Sequence, residues 1–320
     1  MLRRRTLAAL PALMPGLARA FDGSSQPVRI VVPFTPAGQT DILARLFAQR
    51  LGTLWQRPVI VENRPGGNAM IGADAVAKAA PDGTSLLAIT LTHAVNASLF
   101  PQGPYDFQRD LQTLTLLGSL PLVVVVPFGR PWRSLGDLVT AARAGQKLNI
   151  GSSGTGSPPH LGLELFKRAT GTGETITHIP YRGGAPSVTD LVAGTLDALI
   201  SNLPECITQV QAERLRPLAV TTPERHRLLP TVPTVAEAGL PDLTMTSWTA
   251  LQAPAGVPEP LAETLAAAIR RAAADPTLVE KASDLGFTLI AADRAASRRF
   301  VAAEVARYAQ LVAEAGIKPE

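Results

Sequence analysis

Four short stretches rich in Gly, Ser and Thr carry the groups that could grip an anion. The most informative is Gly151-Ser152-Ser153-Gly154-Thr155-Gly156-Ser157. Its three glycines allow positive φ and close backbone approach, and Ser153, Thr155 and Ser157 add hydroxyl donors. Opening a helix, such a loop suits a carboxylate or a phosphate. Pro33-Phe34-Thr35-Pro36-Ala37-Gly38-Gln39-Thr40-Asp41 and Thr90-Leu91-Thr92-His93-Ala94-Val95-Asn96 are of the same kind. Tyr181-Arg182-Gly183-Gly184-Ala185-Pro186 adds a phenol and one guanidinium. Each has a plainer alternative. A glycine-rich loop can be only a tight turn, Asp41 can offset a helix dipole, His93 and His160 can cap or pack, and Arg182 can sit in solvent. Trp55, Trp132 and Trp248 read as packing residues. Convergence favours function: two lobes would each bring such loops to one cleft.

Enzyme templates find no match. There is no G-x-x-x-x-G-K-[ST], and Gly154-Thr155-Gly156 lacks the third glycine of a dinucleotide fingerprint. The loop around Ser153 is not G-x-S-x-G, because Thr155 takes the last position. Four scattered histidines and the single Cys206 give no metal spacing, so neither metal nor cofactor is expected. A hydrolytic Ser153/His160 pair stays open as the rival reading.

The elements that must position these loops follow from periodicity. Val28–Val32, Val59–Val61 and Leu86–Thr90 read as strands, with helices over Asp41–Trp55 and Ala73–Ala80 between them. In the first helix Ile42, Leu43, Leu46, Phe47, Leu51 and Leu54 share a face. This β-α-β-α-β run predicts a parallel sheet wrapped by helices. Leu120–Val126 suits a strand buried on both faces. The pattern then restarts. Ser134 and Asp137 form a capping box on a helix that Gly145 closes. Strands are expected at Lys147–Ser152, Thr175–Tyr181, Leu196–Ser201 and Arg216–Val220, with helices starting near His160, Pro186 and Pro204. Beyond Trp248 the chain reads as helical: Pro260–Ala274, Thr277–Leu285 and Ala295–Ala315, returning to cover the first lobe.

Arg3-Arg4-Arg5, an apolar stretch from Leu7 to Leu17, and Ala18-Arg19-Ala20 read as a cleaved export signal over residues 1–20. Arg4-Arg5-Thr6-Leu7 leaves the Sec and twin-arginine routes both open. The formal charge is +4, from 30 basic and 26 acidic residues, but residues 1–20 hold four arginines and no acid. The remainder is balanced at 26 of each, which argues against nucleic acid or an anionic membrane as partner. No later stretch suits a membrane span. One cysteine excludes an intramolecular disulfide, and about 300 residues are expected to divide into two lobes.

The ordered set of motifs resembles the tripartite tricarboxylate transporter substrate-binding proteins, the TctC or Bug family of periplasmic receptors. It runs from Pro27-Val28-Arg29-Ile30-Val31-Val32-Pro33-Phe34 with Thr40-Asp41 to Val61-Glu62-Asn63-Arg64-Pro65-Gly66 with Ile71-Gly72-Ala73, then Ala80-Pro81-Asp82-Gly83-Thr84. It continues through the Gly151–Ser157 loop with His160 and Pro180-Tyr181-Arg182-Gly183-Gly184. It closes with Leu218-Ala219-Val220-Thr221, Pro230-Thr231-Val232-Pro233-Thr234 and Glu237-Ala238-Gly239.

The resemblance implies an α/β, two-lobed type II periplasmic-binding-protein fold. Lobe 1 is expected over 21–122 and 249–320 and lobe 2 over 123–248, joined by crossing strands. It implies a non-enzymatic, monomeric receptor that closes on a small carboxylate and hands it to a membrane permease; a receptor that presents its closed form to a sensor kinase is the variant reading. Ala37, Gly38, Thr40, Asp41, Thr92, His93 and Asn96 are expected at the ligand from the first lobe. Ser153, Gly154, Thr155, Gly156, Ser157, His160, Tyr181, Arg182, Gly183 and Gly184 are expected from the second. The chain departs from the pattern at Ala37, where the family has glycine, and in Pro65-Gly66-Gly67-Asn68-Ala69-Met70. With Arg182 the only full positive charge nearby, a mono- or dicarboxylate, an aromatic acid or an amino acid among the candidates, is expected over a tricarboxylate.

Overall fold

Val28, Ile30, Val31 and Val32 are all buried, and their β-branched side chains favour the pleated strand. They form β1 (Val28–Val32) in a computed structural model that describes residues 26–315. The expected export signal lies outside the described residues. β2 (Val59–Asn63) and β3 (Ser85–Thr90) flank β1 in parallel. Between them run α1 (Gln39–Trp55) and α2 (Met70–Ala77). α1 buries Leu43, Ala44, Phe47 and Leu51, while Ile42, Leu46 and Leu54 are half-buried at the flanks of that stripe.

Two elements of this half differ from the sequence expectation. The stretch Thr90–Asn96, expected as a loop, is instead the start of α3 (Leu91–Leu99). Thr90 caps it by accepting the Thr92 N–H at 3.2 Å, so β3 passes into the helix without a connection. The second is β9 (Thr246–Pro254), which lies antiparallel between β3 and β4. Its buried Ser247, Thr249 and Gln252 hide the strand from any apolar pattern. Two of them are met by side chains: Thr249 Oγ1 donates to Gln39 Oε1 at 3.1 Å, and Gln252 Nε2 to Thr113 Oγ1 at 3.1 Å.

β4 (Leu111–Pro127) extends well beyond its apolar run and belongs to both sheets. From Leu111 to Pro121 it pairs β9; from Leu122 onward it pairs β7 (Ala198–Asn202) and β8 (Leu215–Val220). β5 (Leu148–Ser152) joins β7 and β6 (Ile176–Pro180) in parallel. The expected parallel pairing therefore holds within each strand triplet, and the antiparallel β4 and β9 make both sheets mixed. Along β4, Val123 and Val125 enter one core and Leu122, Val124 and Val126 the other, so the strand is buried on both faces as expected.

The second sheet carries α4 (Leu135–Arg143), α5 (Pro158–Thr170), α6 (Gly184–Val192) and α7 (Leu203–Gln211). The capping box on α4 is present: Asp137 N–H donates to Ser134 Oγ at 3.1 Å, and Ser134 N–H to Asp137 Oδ2 at 3.0 Å. α8 (Glu259–Ala273) and α9 (Pro276–Asp284) pack on α1, and β10 (Thr288–Leu289) pairs β4. α10 (Arg294–Ala315) covers α3 and β4, with Trp248 Nε1 donating to Glu304 Oε2 at 2.8 Å. Two sheets with their helices make two lobes around a cleft. Among the described residues no helix is long and apolar enough to cross a membrane.

Candidate functional site

The strands β1, β3, β5, β6 and β7 all end at the cleft, and each is followed by a helix whose N-terminus faces it. Free N–H groups and the positive ends of α1, α3, α5, α6 and α7 therefore converge there. A small pocket of about 20 Å³ lies at the focus. Gly38, Gln39 and Thr40 line it from α1, Thr92 from α3, Ser153, Ser157 and Pro158 from the β5–α5 loop, Gly183 and Gly184 from α6, and Asn202 and Glu205 from α7. Phe34 and Ser153 also border a wider cleft of about 710 Å³. Its walls are Pro33–Thr35 and Pro65–Ala69 on one side and Ser153–Thr155 and Pro180–Arg182 on the other.

The lobes touch across this space. A Cβ on Gly156 would come within 3.2 Å of Asn68 Nδ2, and one on Gly183 would collide with Thr35 Oγ1. Gly154 is held at φ +122, where a Cβ would lie 2.7 Å from the Tyr181 carbonyl oxygen. The tight, positive-φ backbone that the Gly151–Ser157 sequence predicts is thus required for packing as well as for access. Tyr181 donates its phenol to Asp190 Oδ2 at 2.7 Å, and Arg182 is exposed on the rim. Burial and the Asp190 carboxylate push the Tyr181 phenol up to about 12, so it stays neutral.

Eleven of the expected site residues therefore line one of the two spaces. Ala37, Asp41, His93, Asn96, Gly156 and His160 do not; they hold the loops that do. Asn96 clamps the Pro65–Ala69 wall, with Nδ2 donating to the Asn68 carbonyl at 2.7 Å and Oδ1 accepting from Asn68 Nδ2 at 2.8 Å. Gly156 N–H donates to His160 Nδ1 at 3.0 Å, which fixes the glycine-serine loop on α5. That bond also decides the hydrolase question. His160 Nδ1 faces the Gly156 amide and its Nε2 lies 3.7 Å from Glu164, so it is not poised on Ser153. The serine that meets a histidine is the fully buried Ser152, 2.7 Å from His178 Nε2.

Asp41 anchors the first loop. Its carboxylate accepts from Ala37 N–H at 3.0 Å, from Arg45 Nε and a guanidinium nitrogen at 2.9 Å each, and from Asn63 Nδ2 at 2.9 Å. Burial alone would raise its carboxyl, but Arg45, Ala37 and Asn63 together hold it below the usual carboxylate range. Ala37 is thereby pinned at φ 64, a region that costs a residue with a side chain. Replacing the charged acceptor in Asp41→Asn is expected to lower stability by about 2 kcal/mol. Urea unfolding measures it; an unchanged midpoint would remove this role.

The sequence reading did not single out Glu205 or Asn202. Asn202-Leu203-Pro204-Glu205 ends a strand and opens a helix like the other four loops, but lacks glycine, and an acid in a first turn reads as dipole compensation. Four polar atoms around the small pocket are buried without a hydrogen-bond partner: Thr92 Oγ1, Ser153 Oγ, Asn202 Oδ1 and Glu205 Oε2. Buried polar atoms are rarely left so in the absence of a bound molecule or water.

The chain is also similar to known proteins. Residues 43–317 match the tripartite tricarboxylate transporter family receptor. The chain is 36% identical to the protein BugT of Bordetella pertussis, over 92% of this chain and 90% of that one. An R. palustris protein solved with adipate superposes with a TM-score of 0.87 at 35% identity, over 92% of this chain and 98% of that one. MatC from Rhodopseudomonas palustris, solved with bound malate, gives 0.83 at 28% identity, over 89% and 98%.

Proposed function

This chain belongs to the tripartite tricarboxylate transporter family of receptors, and from that premise we propose that it captures a small carboxylate between its lobes and delivers it to a tripartite tricarboxylate-type permease. Receptors of this family are non-enzymatic, periplasmic solute-binding proteins. The observation that carries the reading is the cluster of buried, unpartnered hydroxyls, Thr92 and Ser153, where helix N-termini from both lobes meet. Such donors neutralise an anion without the desolvation cost of a buried cation. The solutes seen in the relatives, adipate and malate, are carboxylates of the size the wide cleft accommodates.

The residue 1–20 signal would bring the chain to the periplasm as a monomer, by the Sec or the twin-arginine route. The change of partner along β4 between Pro121 and Leu122 supports lobes of 21–122 with 249–320, and of 123–248. Closure would follow when the solute bridges them.

A thermal-shift screen against mono-, di- and tricarboxylates, amino acids and aromatic acids tests the proposal. A ligand at about 100 times its dissociation constant stabilises the native state by about 2.7 kcal/mol, which moves the midpoint by several degrees at this size. Ser153→Ala is expected to weaken the responding acid by about tenfold, near the 1.4 kcal/mol of one lost hydrogen bond. If no acid shifts the midpoint of ligand-free protein, the carboxylate reading fails.

A further inference from the structure

The deepest part of the cleft already contains a carboxyl group, and it belongs to the protein. Glu205 reaches from the first turn of α7 across to α1, where its Oε1 accepts the Gln39 N–H at 3.0 Å. It packs so closely on Gly184, at the start of α6, that a Cβ there would overlap the carboxyl. The anion-attracting ends of three helices are thus directed at a group supplied by the chain itself. Its second oxygen, Oε2, is buried and accepts nothing. Among the described residues no Lys, Arg or His lines the small pocket; Arg182 lines the wider cleft instead. A buried carboxylate with no cation and a free oxygen is costly, and burial accordingly pushes the Glu205 carboxyl up against the pull of the Gln39 N–H.

Size gives the second constraint. The space beside Glu205 is about 20 Å³, which is room for about one water-sized group. An ammonium head fits that volume and would satisfy Oε2. A carboxylate is larger and brings no donor for Oε2, and it could not stay ionised beside an ionised Glu205 without repulsion.

Resting on the receptor reading above, we infer that Glu205 is a specificity-determining residue that selects a solute carrying one carboxylate and one ammonium group, and rejects dicarboxylates. The ammonium sits against Glu205 Oε2, Ser153 Oγ and Asn202 Oδ1. The carboxylate lies in the wider cleft, on the Ser153–Thr155 backbone and near Arg182. Discrimination then comes from an attractive and a repulsive element together.

Matched pairs test this by calorimetry on the mature chain: ω-aminocarboxylates against dicarboxylates of the same chain length, and α-amino acids against their 2-oxo acids. The expected result is that at least one amino compound binds the wild type tenfold or more tightly than its partner. Glu205→Gln should erase that preference and raise dicarboxylate affinity at least tenfold, and Glu205→Ser, checked for folding by circular dichroism, should do the same. A wild type that binds dicarboxylates as tightly as their amino partners overturns the assignment, as does a preference that survives both substitutions. In either case binding itself leaves the receptor reading standing. Absence of binding by any acid to any variant removes both.

Discussion

A Gly183→Ala protein is expected to fold but to bind its solute about a hundredfold more weakly than the wild type, a loss of about 2.8 kcal/mol. Gly183 precedes α6 at φ +133 and ψ 172, a region open in practice only to glycine. Strain there costs of order 1–3 kcal/mol of fold stability, which a protein of this size survives. The larger effect is on closure. The new methyl would occupy the place of Thr35 Oγ1, which comes from the opposite lobe on the β1–α1 loop. Threonine is short and β-branched, so it has little freedom to swing aside. The lobes must then stop short of contact, and solute bound to one wall only loses the donors of the other. Titration calorimetry reads the affinity, and small-angle scattering with saturating solute reads the closure. Adding Thr35→Ala should restore part of both. Wild-type affinity in Gly183→Ala, or no recovery in the double variant, would show that this contact does not limit closing.

The second large effect is acid sensitivity through His93. The ring is fully buried, edge-on to Phe34 at 6.0 Å between ring centroids and tilted on Phe107 at 6.2 Å. Its Nδ1 accepts the Thr90 N–H at 3.2 Å, completing the start of α3. Burial drives the imidazole from its ordinary 6.5 down to about 4, so the folded protein keeps it neutral. The unfolded chain takes up a proton near 6.5 that the folded state refuses until about 4. The stabilisation is therefore complete above 6.5 and is lost as the pH falls through 4; it amounts to about 3 kcal/mol. His93→Gln keeps an acceptor for Thr90 and has no proton to gain. Urea unfolding at pH 7, 5 and 4 should show the wild type losing this amount more than the variant. Parallel pH profiles would mean that the ring carries no such linkage.

The legible parts of this protein are those with a local physical cause. Alternating β-branched runs and apolar stripes placed β1–β3 and β5–β8 to within a few residues, and Ser134 with Asp137 marked a cap that the backbone makes. The glycines at 154 and 156 announced a close approach. What stayed hidden depends on distant partners. β9 carries buried polar residues, of which Thr249 and Gln252 bond to Gln39 and Thr113, and those contacts span 210 and 139 residues. The helix after β3 needs no connecting residues, so Thr90–Asn96 had the composition of a loop. Asp41, His93, Asn96 and His160 were noticed for their chemistry, yet their directions are set by Ala37, Thr90, Asn68 and Gly156. Glu205 escaped because nothing near it in the chain distinguishes a dipole-compensating acid from one reaching into a cleft.

The position of β9 has a consequence for the order of events at synthesis. In the first sheet the strand order is β2-β1-β3-β9-β4, so the strand that joins the early strands to β4 is among the last to be made. Leu87 must wait for Gln252 and Leu111 for Pro254. Until residues 246–254 arrive, β3 and the first half of β4 each present an unpaired edge. The second sheet has no such wait, since β4 through β8 are consecutive. The nascent chain thus carries a nearly complete later half beside an unfinished earlier one, with closure of the first sheet deferred to a contact of long sequence separation. Such contacts are slow to form and leave edges open to wrong partners. The same arrangement ties the two halves together once made, because β4 cannot leave one sheet without disturbing the other.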